Sequence, residues 1–173
     1  MGECKYSGRF VRVLERDGWE IVERTRLSGI VAILAVTAKY ELLLVEQHRP
    51  PVAARVIELP SGVAGDTRVE TLCEAAAREL LEETGYSATK WRELFSGPTS
   101  PGLTTEKVTL FHASGLTKTL SIPTTSSLEK IEVHAVPLEK IYEWLRSKEC
   151  PTRLIDFKVF AALSFIHINS FSS

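Results

Sequence analysis

Between Arg78 and Gly85 the chain reads Arg-Glu-Leu-Leu-Glu-Glu-Thr-Gly, placing carboxylates at positions 79, 82 and 83. A helix turns about 100° per residue, so Glu82 and Glu83 fall about 60° to one side and about 40° to the other side of Glu79. The three acids therefore share one sector. Like charges at i, i+3 and i+4 repel and weaken a helix, so something must offset them. One answer is solvent together with Arg78, because an acidic helix face is most often only a solvated face. The other is a hard divalent cation. Magnesium takes carboxylate oxygens and keeps water and substrate phosphates as its remaining ligands. The same projection puts Cys73, Ala76, Ala77, Leu80, Leu81 and Thr84 on the core face. It puts Ala75 beside the acids, where a small side chain leaves room.

These residues need a frame. Thr71 and Glu74 form a capping box, and Gly85 supplies a left-handed stop, so a helix is predicted over 72–84. Upstream, residues 9–26 read as a polar hairpin: Phe10–Leu14 alternates, Asp17-Gly18 turns, and Trp19–Glu23 resumes the pattern. The apolar run 29–37 is expected to be a strand buried on both faces. Residues 42–47, 56–59, 107–113 and 131–136 read as further strands, and 138–148 and 156–168 as amphipathic helices. The Thr- and Ser-rich stretch 117–129, with Pro123, is expected to be a mobile loop. Strands on both sides of a central helix make this one mixed α/β domain spanning 1–173.

With its frame in view, the segment Glu58-Leu59-Pro60-Ser61-Gly62, then Glu70, then Arg78–Tyr86, resembles the Nudix box, G-x5-E-x7-R-E-U-x-E-E-x-G-U with U bulky and apolar. From Glu70 onward every fixed position is filled. The start departs: Ala64 stands where the first glycine belongs, and Gly62 and Gly65 flank it, as if the loop were two residues longer. Ser100-Pro101-Gly102-Leu103-Thr104-Thr105-Glu106 is similar to the S-P-G-x-x-x-E segment of ADP-ribose pyrophosphatases, and Pro101 follows Gly85 at that branch's spacing. Val45–Arg49 is similar to a strand end carrying a substrate-binding arginine there. The likeness spans about residues 26–146.

The resemblance implies a Nudix α/β/α sandwich around a mixed sheet, preceded here by an N-terminal antiparallel hairpin over residues 1–28. It implies hydrolysis of a diphosphate bond with magnesium, or manganese in its place. Glu79, Glu83 and the Ser61 carbonyl would be ligands, and Glu82 a further ligand or an electrostatic support for catalysis. Arg78 would pair with Glu70. Substrate contacts would come from Arg49, Arg26, Ser100, Pro101, Gly102 and Glu106. The branch takes its general base from a loop after the S-P-G segment. Between Glu106 and Glu132 the one carboxylate is Glu129, which is either that base or a surface acid paired with Lys130. Glu106 is the alternative base.

ADP-ribose is the substrate this branch implies, giving AMP and ribose 5-phosphate; GDP-mannose and other nucleoside diphosphate sugars are alternatives. A non-catalytic ADP-ribose-binding domain and a triphosphate hydrolase are further readings, the first opposed by the intact acids and the second by the S-P-G segment. Relatives with this N-terminal extension are homodimers, so a homodimer is expected.

Composition agrees with such a protein. The 173 residues carry 21 Lys+Arg and 22 Asp+Glu, a net charge of -1, which argues against a nucleic-acid partner held by bulk charge. Cys4, Cys73 and Cys150 show no C-x-x-C spacing and are expected to be free thiols. Met1–Tyr6 lacks an apolar core, and the longest apolar run, 30–36, is far short of the roughly 20 residues a membrane span needs. A cytoplasmic protein without a membrane partner is expected. His48, His112, His134 and His167 form no metal spacing, and Trp91 and Trp144 are expected to pack.

Overall fold

In the computed structural model, residues 2–65, 68–119 and 131–170 are described, with side chains to residue 166. The order is β1 (Glu3–Ser7), β2 (Val11–Arg16), β3 (Trp19–Arg24), β4 (Gly29–Ala35), β5 (Glu41–Arg49), β6 (Ala54–Glu58), β7 (Ser61–Ala64), α1 (Leu72–Thr84), β8 (Tyr86–Pro98), β9 (Lys107–Lys118), β10 (Glu132–Pro137), α2 (Ile141–Lys148), β11 (Arg153–Ile155) and α3 (Phe157–Ser170). Strands form three sheets: β1-β2-β3, β10-β5-β6-β11 and β7-β4-β9-β8. Both four-stranded sheets are mixed, since β4 pairs parallel with β9 and β6 parallel with β11.

Alternation along the strands builds two cores. Val31, Ile33, Ala35, Phe111 and Ala113 face α1, where Ala75, Ala76 and Leu80 meet them. Ala32, Leu34, Val108 and Leu110 face the other way. They pack with Leu42, Leu44 and Ile57 of the second sheet, and with Ile141 and Leu145 of α2 and Val159, Ala162 and Leu163 of α3. The central strands are thus covered on both faces, which is why β4 reads as an unbroken apolar run.

α1 matches its predicted span. The Thr71 hydroxyl accepts from the Glu74 N–H at 3.2 Å, and the Glu74 carboxylate accepts from the Thr71 N–H at 2.7 Å. Gly85 ends the helix at φ 73, donating to the Leu81 carbonyl. Its buried face is rotated from expectation. Ala75, Ala76, Leu80 and Thr84 are buried, whereas Ala77 and Leu81 are half-buried. Ala75 is therefore a core residue and not a space beside the acids.

Other differences follow from exposure. The hairpin gains a third strand, β1, and its turn places both Asp17 and Gly18 at positive φ, the primed geometry that suits twisted strands. β8 pairs along the whole length of β9 yet is largely exposed, so its sequence lacks a buried alternation. The predicted helix 138–148 divides into a 3-10 turn at Leu138–Lys140 and α2. The strand β9 runs to Lys118, into the segment expected to be loop; residues 120–129 of that segment lie outside the described residues.

Candidate active site

α1 lies against β7, and this pairing positions the acids. Glu79 and Glu83 do not sit on a solvated face. They project between the buried positions Ala75, Ala76 and Leu80, toward Ser61 and Gly62. The Ser61 N–H donates to Glu83 Oε2 at 2.9 Å. The contact joining Ser61 to the acids thus runs through its N–H. A Cβ on Gly62 would stand 2.0 Å from the Glu79 carboxylate, so only glycine lets β7 approach the helix this closely. Gly62 supplies the close approach, and Ala64 is a buried strand residue paired with Gly29, which agrees with a loop two residues longer.

Arg78 offsets the repulsion. Its guanidinium donates to Glu79 at 2.7 Å, to Glu82 at 3.1 Å, to the Val63 carbonyl at 3.0 Å and to Glu70 at 2.8 Å. The Glu70 side chain is 3% exposed in a half-buried residue, and Arg78 and then Arg68 hold its carboxyl down at about 2. Glu83 behaves oppositely. Burial first, and then the charges of Glu79 and Glu58, push it up to about 8 against the Ser61 N–H and Arg49. A buried carboxyl beside two further carboxylates, with a glycine cradle opening onto it, is a hard-oxygen donor set that fits a divalent cation.

The acids form one wall of a cleft of about 610 Å³, within the usual range for ligand sites. Gln47 and Arg49 of β5, Glu58 of β6, Arg24 of β3 and Glu106 line it, as do Asp156 and Lys158 at the start of α3. Arg49 grips Glu58 with two hydrogen bonds of 2.7 and 2.9 Å, and Arg24 meets Glu106 at 2.6 Å.

Of the predicted contact residues, Ser61, Glu79, Glu83, Arg49 and Glu106 line this cleft together. Glu82 is held by Arg78, its side chain 41% exposed. Arg26 sits in the turn after β3 at φ 62, exposed, and Arg24, two residues earlier, lines the cleft. Pro101 and Gly102 line a separate pocket with Trp19 and Ile21, in a turn whose Leu103 carbonyl accepts from the Val22 N–H. Ser100 closes that turn by accepting from Leu103 and Thr104. The segment therefore anchors the hairpin to the domain and carries Glu106 to the cleft. Glu129 lies outside the described residues. Asp156 and Lys158 are cleft residues that no motif singled out, and Glu58, quoted at the head of the box-like segment without a role, joins them.

A second polar cluster lies on the other face of β5. Ligand-type atoms of Glu46, Glu132 and His134 lie within 4.8 Å of one another. Arg55 and Arg153 reach the same Glu46 oxygen at 2.5 and 2.9 Å, filling the place a cation would need. Burial alone would raise Glu46, but these arginines and His134 win and hold it at about 2. His134 also packs 5.0 Å from the Trp144 ring, and Trp91 meets Phe111 edge-on, so the structural reading of those side chains stands. Cys4, Cys73 and Cys150 are free thiols. Among the described residues no helix is long and apolar enough to cross a membrane.

Because Arg78 already pairs with Glu79 and Glu82, chelation should leave the circular dichroism spectrum unchanged. The contribution of Glu83 to the stability of the metal-free protein should be fully present below about pH 4.5. On the order of a few kcal/mol of it should be lost as pH rises from there through about 8, because folded Glu83 keeps its proton over a range where the unfolded chain has lost it. Urea midpoints measured with EDTA across that window check this, and collapse of the spectrum on chelation would mean that metal holds the fold.

The sheet arrangement, the capped acidic helix and the cleft define a Nudix fold whose box is filled from Glu70 onward. The NUDIX domain pattern matches residues 26–154, and the chain belongs to the Nudix hydrolase family. A methanol dehydrogenase activator of Bacillus methanolicus is 31% identical, over 94% of this chain and 88% of its own length. An ADP-ribose pyrophosphatase of Bacillus subtilis is 33% identical, over 84% and 76%. A solved structure, that of an ADP compounds hydrolase, shares the fold at a TM-score of 0.66, with 18% identity, over 96% of this chain and 90% of that one.

Proposed function

We propose that this enzyme hydrolyses the diphosphate bond of ADP-ribose in the presence of magnesium, giving AMP and ribose 5-phosphate. The observation that carries the reading is one cleft in which Glu79 and Glu83 face the arginines Arg24 and Arg49. Its support in substrate class is the resemblance to ADP-ribose pyrophosphatases. Magnesium is the assigned ion, and manganese offers the same oxygen preference. When bound, such an ion lowers the pKa of water and absorbs charge developing on phosphate oxygens. Glu79 and Glu83 would hold it from the helix side, with the Ser61 backbone beside them. Arg49 and Arg24 meet the anionic substrate, and Glu106 keeps Arg24 oriented. One water is added across the P–O–P bridge, and its oxygen stays on phosphorus.

Glu129 takes the proton from the attacking water in this reading. Glu129→Gln should lower kcat by about 10²–10⁴, with little change in magnesium affinity. If Glu106→Gln loses kcat instead while Glu129→Gln keeps it, the base belongs to Glu106.

A panel of ADP-ribose, GDP-mannose and nucleoside triphosphates, with products identified by chromatography, tests the substrate. AMP and ribose 5-phosphate as the dominant products support the reading, and preferred triphosphate hydrolysis overturns it. A second reading comes from the relative matched along 94% of the chain, an activator of methanol dehydrogenase. It predicts that this chain raises a dehydrogenase's rate, which a coupled assay measures directly.

Homodimerisation is the accompanying proposal. Tyr6, Phe10 and Trp19 on the N-terminal sheet are all at least 60% exposed. A small sheet with so little buried apolar surface is marginal alone, and a second copy would cover it. Light scattering at a monomer mass would contradict this.

A further inference from the structure

Lys158 stands where the cleft changes character. It lines the acid-walled cleft and also an apolar pocket of about 80 Å³ formed by Ala32, Phe95, Leu110 and Phe157, with Val108 shared between the two. Its stem can therefore lie on apolar surface while its ammonium reaches the polar side. The ammonium pairs with Asp156, and lies 5.6 Å from the centre of the Phe157 ring.

The three cations of the cleft differ in how firmly they are held. Arg49 grips a nearly buried Glu58 with both arms, and withdrawing it would strand that carboxylate. Arg24 is paired with Glu106, contributed from a distant part of the chain. Among the described residues Lys158 is paired with Asp156, two residues from it in sequence. Asp156 has another partner: its Oδ1 accepts the Lys158 N–H at 2.8 Å, capping α3. The backbone of Asp156 is fixed as well, its N–H donating to the Ile57 carbonyl at 2.9 Å. The ammonium can thus leave without orphaning the carboxylate or moving the helix. A flexible stem with a compact, rotatable charge suits that transfer.

We infer that Lys158 is a substrate-binding residue, whose ammonium swings from Asp156 to a phosphate oxygen of the bound diphosphate. Asp156 holds it in wait. This deepens the reading of the cleft as a diphosphate site and rests on it. No covalent step is involved: a charge-assisted hydrogen bond to carboxylate is exchanged for one to phosphate. The lysine acts in binding, so its loss should appear in KM and not in the chemical step.

The test uses the full chain at saturating magnesium, with ADP-ribose as substrate and inorganic diphosphate as a competing ligand. Lys158→Met should raise KM about 10-fold to 100-fold, the worth of one charged hydrogen bond, and weaken inhibition by diphosphate by a similar factor. It should leave kcat within about threefold, and Lys158→Arg should restore most of the affinity. Lys39→Met, an exposed lysine away from the cleft, controls for bulk charge and should change nothing. Asp156→Asn keeps an oxygen to cap the helix and releases the ammonium, so it should lower KM, and less so in a Lys158→Met background. Unchanged KM and unchanged diphosphate inhibition in Lys158→Met would overturn the inference, as would equal effects of Asp156→Asn in both backgrounds. Should Lys158→Met melt early, the arginine and asparagine variants decide. If the wild-type chain turns over no ADP-ribose, the substrate reading fails, and direct calorimetric titration with diphosphate still decides the role of Lys158.

Discussion

Glu83→Gln should remove nearly all turnover, by about 10²–10³ in kcat, comparable to losing one preorganised electrostatic group, while making the metal-free protein more stable at pH 9. Both effects come from one position. The carboxylate is buried, is raised to about 8, and faces Glu79 and Glu58. Ionised without metal, it costs stability; as glutamine it keeps nearly the same volume, and its carbonyl still accepts from the Ser61 N–H. A functional site that is strained in the empty protein is a common trade of stability for activity. Steady-state rates and urea midpoints on the same sample check the pair of effects. A mutant keeping more than about a tenth of the rate, under ~1.4 kcal/mol of barrier, would remove Glu83 from the ligand set.

Arg78→Ala should be the most destabilising single change in the site. The guanidinium is 16% exposed and ties Glu70, Glu79, Glu82 and the Val63 carbonyl together. Removing it leaves Glu70 with Arg68 alone and lets the helix acids repel. The cost should be about 3 kcal/mol, as for breaking a buried ion pair by deleting one partner. Lysine should recover little, because one ammonium cannot span a fork's partners. Added magnesium should stabilise Arg78→Ala more than it stabilises the parent, since an ion bound only by the folded state shifts the equilibrium by mass action. An unchanged urea midpoint for Arg78→Ala would show that the network is incidental.

What the sequence disclosed follows from how local each cause is. α1 was legible to the residue, because its capping box and Gly85 act within one turn. The Arg78–Glu70 pair was legible because one helix and the loop before it hold both. β8 was not, since an edge strand with Lys90, Arg92 and Glu93 exposed carries no buried alternation. β7 is four residues long and defined by its pairing with β4, which no local signal reports. The placement of Arg24 in the cleft and of Arg26 in the turn beyond it was not legible, because the hairpin is held by contacts with the distant Leu103–Thr105 turn. Glu58, Asp156 and Lys158 reach the cleft from β6 and from the start of α3, so only the assembled fold brings them to Glu83. The raised carboxyl of Glu83 is likewise a property of burial, whereas spacing alone left a solvated face open.

The most direct measurement is the number of protons released when magnesium binds, obtained by titration calorimetry at pH 7 in buffers of different ionisation enthalpy. With Glu83 raised to about 8, the empty site holds its proton at that pH, and a carboxylate ligand must shed it to bind. The parent should release close to one proton per binding event, and Glu83→Gln should release none and bind magnesium more weakly. Binding in the parent without proton release, or with the same release in Glu83→Gln, would contradict the assignment of the Glu79–Glu83 pair as the metal site.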